Sequence, residues 1–166
     1  FTTLMNGAQV TDLVSERSAY SSWSGLNDVV RSRESTFGLS PATYTYGGIG
    51  GSYSIDSRAS RQRKQMQVTY SLGNRTFDNR LMLTYGSGFT KDGWAFAASY
   101  SRRWAQEGFV KGTYYDGNAY YLGVSKLIDK HELSFTILGS QVENAATSTN
   151  APEVYDIAGD HYYNSN

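Results

Sequence analysis

Between Gln65 and Gln141, apolar and polar residues alternate with a period of two in five separate stretches. In Gln65–Gly73 the apolar set is Met66, Val68, Tyr70 and Leu72, and the intervening Gln65, Gln67, Thr69 and Ser71 are polar. Asn79–Phe89 puts Leu81, Leu83, Tyr85 and Phe89 on one side and Arg80, Thr84, Gly86 and Gly88 on the other, with Met82 breaking the pattern. Trp94–Trp104 sets Trp94, Phe96, Ala98 and Tyr100 against Ala95, Ala97, Ser99 and Ser101. Asn118–Leu127 opposes Tyr120, Leu122 and Val124 to Tyr121, Gly123 and Ser125. His131–Gln141 opposes Leu133, Phe135 and Ile137 to Glu132, Ser134 and Thr136, with Leu138 out of step. Successive side chains of a strand point to opposite faces, so each stretch predicts a strand with one apolar and one polar face.

The connections carry a second rhythm. Lys91-Asp92-Gly93 and Asp129-Lys130 are tight turns, whereas Asn74–Asp78, Ala105–Gly117 and everything after Val142 are longer. Short and long connections alternate if all turns lie on one side of an antiparallel meander and all loops on the other, as in outer-membrane barrels. Aromatic residues fall near strand ends on the apolar side (Tyr70, Tyr85, Phe89, Trp94, Tyr100, Trp104, Tyr120), where amphipathic rings favour a membrane interface. The polar side is Ser, Thr, Gly, Gln and Ala rather than Lys and Glu, which suits a crowded interior better than a solvated surface. The expected fold is therefore mainly β, with antiparallel transmembrane β-barrel strands. A soluble β-rich binding module is the alternative, because alternation also occurs in sandwiches. A charge at Leu83 or Phe135 is expected to oppose insertion, and one at Thr84 or Ser134 to be tolerated.

The first 64 residues show no comparable alternation. Phe1–Val10 predicts a short strand that turns at Asn6-Gly7, a strong hairpin signal. Trp23, Leu26, Val29 and Val30 are spaced for a short helix, although a buried strand fits too. Gly47-Gly48-Ile49-Gly50-Gly51 leads into the alternating Ser52-Tyr53-Ser54-Ile55. Together these predict a small mixed α/β unit ahead of the strands.

Asp28-Val29-Val30-Arg31 through Gly38-Leu39, followed by Tyr46-Gly47-Gly48-Ile49-Gly50-Gly51-Ser52-Tyr53-Ser54-Ile55, resembles the closing signature of the plug of TonB-dependent outer-membrane receptors. Met5-Asn6-Gly7-Ala8-Gln9-Val10 is similar to an earlier strand of such plugs. Tyr70–Asn74, Asp92-Gly93-Trp94, Val154–Gly159 and Tyr162–Asn164 resemble the receptors of the Bacteroidetes lineage. The resemblance implies that residues 1–64 are the C-terminal part of a plug domain, and that residues 65–166 are the first barrel strands and the start of a long extracellular loop. Phe37-Gly38 stands where the family has Arg-Gly, so only Arg31 or Arg33 is left to fill that arginine's place. The chain is expected to be a segment of a larger receptor, since five strands cannot close a barrel.

The implied activity is energy-coupled uptake of a scarce ligand across the cell outer membrane. The alternative within the same architecture is a passive or structural barrel. The implied partners are the TonB energy-coupling complex, reached through a segment ahead of Phe1, outer-membrane lipid, and a small ligand, glycan or peptide. A surface lipoprotein partner is also compatible with the resemblance. The plug loop that corresponds to a ligand-binding apex is Thr11–Trp23, whose Asp12, Glu16, Arg17, Tyr20 and Trp23 mix charge with aromatic surface. An equally simple account makes Tyr20 and Trp23 core and the charges solvated. Trp104, Tyr114 and Tyr115 form a second candidate group.

Composition narrows the remaining possibilities. There are 15 Lys+Arg and 15 Asp+Glu, so no basic excess points to nucleic acid. Fourteen Tyr and 17 Gly against 2 Pro favour strands and tight turns. No cysteine is present, which excludes disulfides and Cys-based zinc sites. No run of about 18 apolar residues exists, so a transmembrane helix is excluded while barrel strands are not. No enzymatic activity, metal or cofactor is expected. The two histidines, His131 and His161, have no nucleophile and acid arranged around them, and Asp156, Asp160 and His161 make only an ordinary polar loop. Arg58, Arg61, Arg63 and Lys64 are expected to be a solvated linker between the two units.

Overall fold

The computed structural model of the chain describes residues 2–12, 14, 17–18, 20–30, 32–38, 40, 44–45, 50–148 and 150–165. The protein is mainly β. Its strands are β1 (Thr2–Met5), β2 (Ala8–Gln9), β3 (Ser32–Thr36), β4 (Ser52–Asp56), β5 (Gln65–Leu72), β6 (Asn79–Phe89), β7 (Trp94–Ala105), β8 (Tyr115–Ile128) and β9 (His131–Asn144). Two 3-10 turns, Tyr20–Trp23 and Ala59–Arg61, and one short helix, α1 (Pro152–Ala158), complete the described elements.

The N-terminal unit is a four-stranded mixed sheet in the order β2-β1-β4-β3. Asn6 and Gly7 both take positive φ (51° and 86°), the geometry of a two-residue hairpin turn that matches strand twist. β1 runs parallel to β4, from Thr2↔Ser52 to Met5↔Ile55, and a parallel pair requires the long crossover that lies between them. Trp23, Leu26 and Val29 form neither a regular helix nor a buried strand. Leu26 N–H donates to the Trp23 carbonyl and Val29 N–H to that of Leu26, so three successive turns bury one residue each. The strand that follows, β3, is the exposed edge, and its Ser32-Arg33-Glu34-Ser35 face discourages further pairing. Gly51 sits at φ +88° where a Cβ would run into the Thr36 carbonyl oxygen. Arg31 and Gly47–Ile49 lie outside the described residues. Arg33 is exposed and makes no ion pair among the described residues.

Strands β5 to β9 form an antiparallel meander in chain order. The tight turns fall where the alternation places them, with Gly93 at φ 74° and Asp129 at φ 52°. Two boundaries differ from expectation. β8 begins at Tyr115 rather than Asn118, and β9 runs to Asn144 rather than ending near Gln141. Pairing extends through Ala105↔Tyr115 and Tyr115↔Asn144, so the ladder continues across Asp116, Gly117 and Asn118, whose side chains hide the period. The segment expected as plain loop after β9 holds α1, which starts on Pro152 after an extended Ala151 and stops at Gly159 in the left-handed region (φ 64°).

The two faces of the meander differ in an unusual sense. The uncovered face carries the apolar set: Met66 is 82 % exposed, Leu133 63 % and Phe135 64 %. The face packed on the N-terminal unit carries Ala95, Ala97, Thr84, Ser99, Ser101, Ala119, Tyr121 and Ser125, all buried. The unit supplies the bulk of that shared core through Met5, Trp23, Leu26, Val29 and Ile55. Small meander residues let it approach closely, and at Gly86 a Cβ would strike the Arg63 carbonyl oxygen.

Gly51→Ala is expected to destabilise the N-terminal sheet by more than the roughly 1–2 kcal/mol that a left-handed φ costs an L-residue, because the Thr36 carbonyl must also move. Gly38→Ala has a similar φ (+64°) but open space around it, and should cost only about that conformational amount. Urea unfolding of the two variants checks this, and equal losses would contradict the clash at Gly51.

Candidate functional site

The chain leaves β4 through Asp56 and makes a 3-10 turn that lies flat on the meander. Ala59 is fully buried and would touch a Cβ placed on Gly123 at 3.4 Å. Around it, the Tyr121 hydroxyl donates to the Ser57 carbonyl, and Asn6 brackets Ser57 through both its Oδ1 (2.8 Å from Ser57 N) and its Nδ2 (3.0 Å from Ser57 Oγ). Ser60 N–H donates to Ser125 Oγ (3.3 Å), and the Ser60 hydroxyl donates to Glu132. Arg58 forks onto Asp56, with Nε at 3.0 Å and Nη2 at 2.7 Å, and reaches Glu132 at 3.6 Å. Arg61 lies 3.5 Å from the same Asp56 carboxylate. Of the basic run expected as a solvated linker, Arg63 and Lys64 are exposed and Arg61 is exposed beside Asp56, whereas Arg58 is largely covered and paired with Asp56 and Glu132. Glu132, which helps to make this junction, lies more than seventy positions away along the chain.

Burial alone would push the Asp56 carboxyl up. Hydrogen bonds from the Arg58 side chain and backbone, with the charges of Arg58 and Arg61, outweigh that and hold it below the ordinary carboxylate range. The hydrogen bond to Asp56 chiefly, and the charges of Asp56 and Glu132, raise Arg58 against its desolvation.

A cleft of about 600 Å³ opens between the β1–β2 hairpin, the Tyr20–Trp23 turn and β9. Its walls combine Met5, Trp23 and Leu138 with the polar Asn6, Asp12 and Thr136, and Arg58 closes one side. Of the loop residues singled out by sequence, Asp12 and Trp23 line this cleft. Tyr20 is exposed and packs edge-on against Trp23 at 5.6 Å. Arg17 contributes its carbonyl, which accepts from Asp12 N–H at 2.8 Å. Glu16 lies outside the described residues. Trp23 is buried at 8 % exposure within the shared core, so its main role is packing, with one edge left to the cleft. Asn6, Arg58 and Thr136 were not singled out, because nothing local marks a residue that meets the cleft only after the sheet has formed.

A second cleft, about 640 Å³, lies at the other end of the strands among Arg75, Phe109, Tyr114, Tyr115, Asn144 and neighbouring hydroxyls. Tyr114 and Tyr115 therefore do meet as the second candidate group proposed. Trp104 does not join them, because it points to the opposite face of β7, where Arg102 sits 5.7 Å from its ring. Among the described residues no group of three or more His, Asp or Glu side chains converges as a metal site would require. No helix is long and apolar enough to cross a membrane, which says nothing of strands.

No protein-family model matches the chain, and no curated protein and no solved structure matches it.

The depressed Asp56 pKa has a defined consequence. Its contribution to stability is complete above the unfolded carboxylate value of about 4 and is lost as the pH falls through the lower folded value. Asp56→Asn should weaken the junction by roughly 1.5–3 kcal/mol near neutral pH, the worth of hydrogen bonds to a charged group. It should also flatten the acid dependence below about pH 4. Hydrogen exchange over residues 56–61 from pH 6 to pH 3 measures both effects, and a variant with unchanged acid sensitivity would contradict the assignment.

Proposed function

We propose that this chain is the plug-closing and barrel-opening segment of a TonB-dependent outer-membrane receptor, with the N-terminal unit as part of the plug. The single observation that carries this is the inversion of the meander. A soluble sheet buries its apolar face and wets its polar one, whereas here the apolar face is open and the small polar face is packed on the unit. On the open face Trp94 is register partner to Lys126 near one end, and Arg102 is the first charge met towards the other. The eight residue steps from Trp94 to Arg102 make an uncharged band of about 26 Å along the strand at ~3.3 Å per residue. At the roughly 35–45° tilt of barrel strands that band rises about 19–22 Å, somewhat short of the roughly 25 Å apolar girdle of outer-membrane barrels.

The sheet edges support the same reading. Five strands leave the outer edges of β5 and β9 without partners among the described strands, and open edges are not viable in lipid. Further strands of a larger receptor would close them. The N-terminal unit, read as part of a plug, packs on the small polar face through a shared apolar core and, at Asp56–Ser60, through hydrogen bonds and ion pairs. Uptake of a ligand by energy transmitted from TonB is what the sequence resemblance implies for such a segment.

Two experiments test this. The full-length protein is expected in the outer-membrane fraction, with heat-modifiable electrophoretic mobility, and in contact with TonB by cross-linking; recovery as a soluble periplasmic monomer would end the proposal. Leu83→Arg and Phe135→Arg should impair membrane insertion by roughly 2–4 kcal/mol near the midplane. Ser134→Lys, beside Glu132 on the packed side, should cost about 1 kcal/mol or less. Thr84 does not serve as a tolerant control, because it is buried at 3.0 Å from Ser99 Oγ and 3.4 Å from Asp28. Equal effects at Phe135 and Ser134 would show the assigned lipid face to be wrong.

A further inference from the structure

Arg80 and Arg103 are direct register partners on β6 and β7, so their side chains leave the same face of the sheet about 5 Å apart. That face is the covered one. Both are partly buried, and neither has a carboxylate partner among the described residues. Two like charges side by side under partial burial are unfavourable unless something negative offsets them. What the protein supplies is slight. Arg103 Nη2 donates to the Ser24 carbonyl (3.2 Å) and hydroxyl (2.9 Å), and Arg80 Nη2 to the Gly25 carbonyl (3.1 Å) and, at 3.2 Å, to the Met82 thioether, a weak acceptor. Arg80 Nε is buried with no acceptor, and so is the hydroxyl of Ser101, two residues along the same face. The Nε and Nη1 donors of both guanidiniums are unspent.

Arg103 lies behind the second cleft, with Arg80 beside it on the next strand away from the cleft. Tyr115 forms part of that cleft's wall, and the Arg103 guanidinium sits over its ring at 5.2 Å. Phe77 flanks Arg103 on another side at 5.8 Å. The cleft itself is lined by one charged residue, Arg75, and by no carboxylate. The positive charge is therefore layered, with Arg75 at the exposed wall and the uncompensated pair beyond Tyr115. Guanidinium is the side chain best shaped to grip a carboxylate or phosphate with two parallel hydrogen bonds.

We propose that Arg75, Arg80 and Arg103 form an oxyanion-recognition site at the loop end of the meander, and that the ligand carries a carboxylate or phosphate group on a body that fits against Tyr114 and Tyr115. This rests on the uptake reading for its biological meaning, but not for its chemistry. The oxyanion takes the spare donors of Arg80 and Arg103, and the aromatic wall accepts the rest of the molecule.

The test uses the purified full-length protein in detergent, with thermal unfolding followed in citrate, inorganic phosphate and sodium chloride at matched ionic strength. Citrate or phosphate should raise Tm saturably above chloride, and the more effective of the two separates carboxylate from phosphate recognition. Arg103→Gln and Arg80→Gln should each weaken that binding by roughly tenfold, and Arg75→Gln, at an exposed position, by roughly threefold. If either inner variant fails to fold, the wild-type titration and Arg75→Gln decide. Equal stabilisation by all three salts, or Gln variants that bind like wild type, would overturn the site. Failure here with TonB-dependent uptake intact would leave the receptor reading standing. Saturable, arginine-dependent binding by a protein found outside the membrane would do the reverse.

Discussion

The contact on which the rest of the structure depends is the seating of Ser57–Ser60 on the inner face of the meander. Ala59 fits there because Gly123 lies opposite it, Tyr121 reaches over to hold the Ser57 carbonyl, and Ser125 and Glu132 take the polar groups of Ser60. Tyr121, Gly123 and Ser125 come from β8 and Glu132 from β9, so the contact ties the N-terminal sheet to the two longest strands at once. It also explains the composition of the covered face. A backbone segment can lie flat on a sheet only where side chains are small, and its own polar groups must then find hydroxyls and carboxylates nearby. Ala, Ser, Thr and Gly on that face meet both demands.

Once the small polar face is committed to the unit, the large apolar residues have nowhere to go but the other side. There they form a charge-free band bounded by Lys126 near one end and Arg102 near the other. In water this arrangement would be costly at roughly 25 cal/mol per Å² of apolar surface left exposed. In lipid the same surface is solvated, and the expensive features become the unpaired strand edges. The open apolar face is thus the feature on which the proposed outer-membrane reading rests.

Much of this was legible in the residues. Period-two alternation located all five meander strands, Gly93 and Asp129-Lys130 marked two of their turns, and Asn6-Gly7 marked the N-terminal hairpin, because these signals are local. The failures were of two kinds. The start of β8 was hidden by Asp116-Gly117-Asn118, which pair like any strand but carry no apolar side chain to show the period. The short helix was masked by its surroundings, although Pro152 at its start and Gly159 at its end are ordinary boundary signals. The candidate site was less visible for a firmer reason. Arg58 with Glu132, Asn6 with Thr136, and Arg80 with Arg103 are pairings made by topology, and neither partner looks unusual alone. Of the apex residues chosen by sequence, Trp23 turned out to serve the core, because an aromatic in a small unit is drawn to the largest apolar contact available.

The two ends of the meander are built on different electrostatics, and that difference bears on how uptake could work. At the Arg58 end Arg58 and Arg61 both have carboxylate partners, so the unit is latched there by compensated pairs. At the Arg80–Arg103 end the unit offers the carbonyls of Ser24 and Gly25 and the Ser24 hydroxyl, all neutral acceptors. An oxyanion would outcompete them, since charge-assisted hydrogen bonds are about twice as strong as neutral ones. Ligand and plug would then draw on the same two guanidiniums, and occupancy by one would weaken the hold on the other. By linkage the effect is reciprocal: a plug loosened at Ser24–Gly25 exposes the arginines, and a bound oxyanion loosens the plug. On the proposed reading, a receptor built this way would need no separate sensor, because the residues that recognise the ligand would be the ones that release the loop.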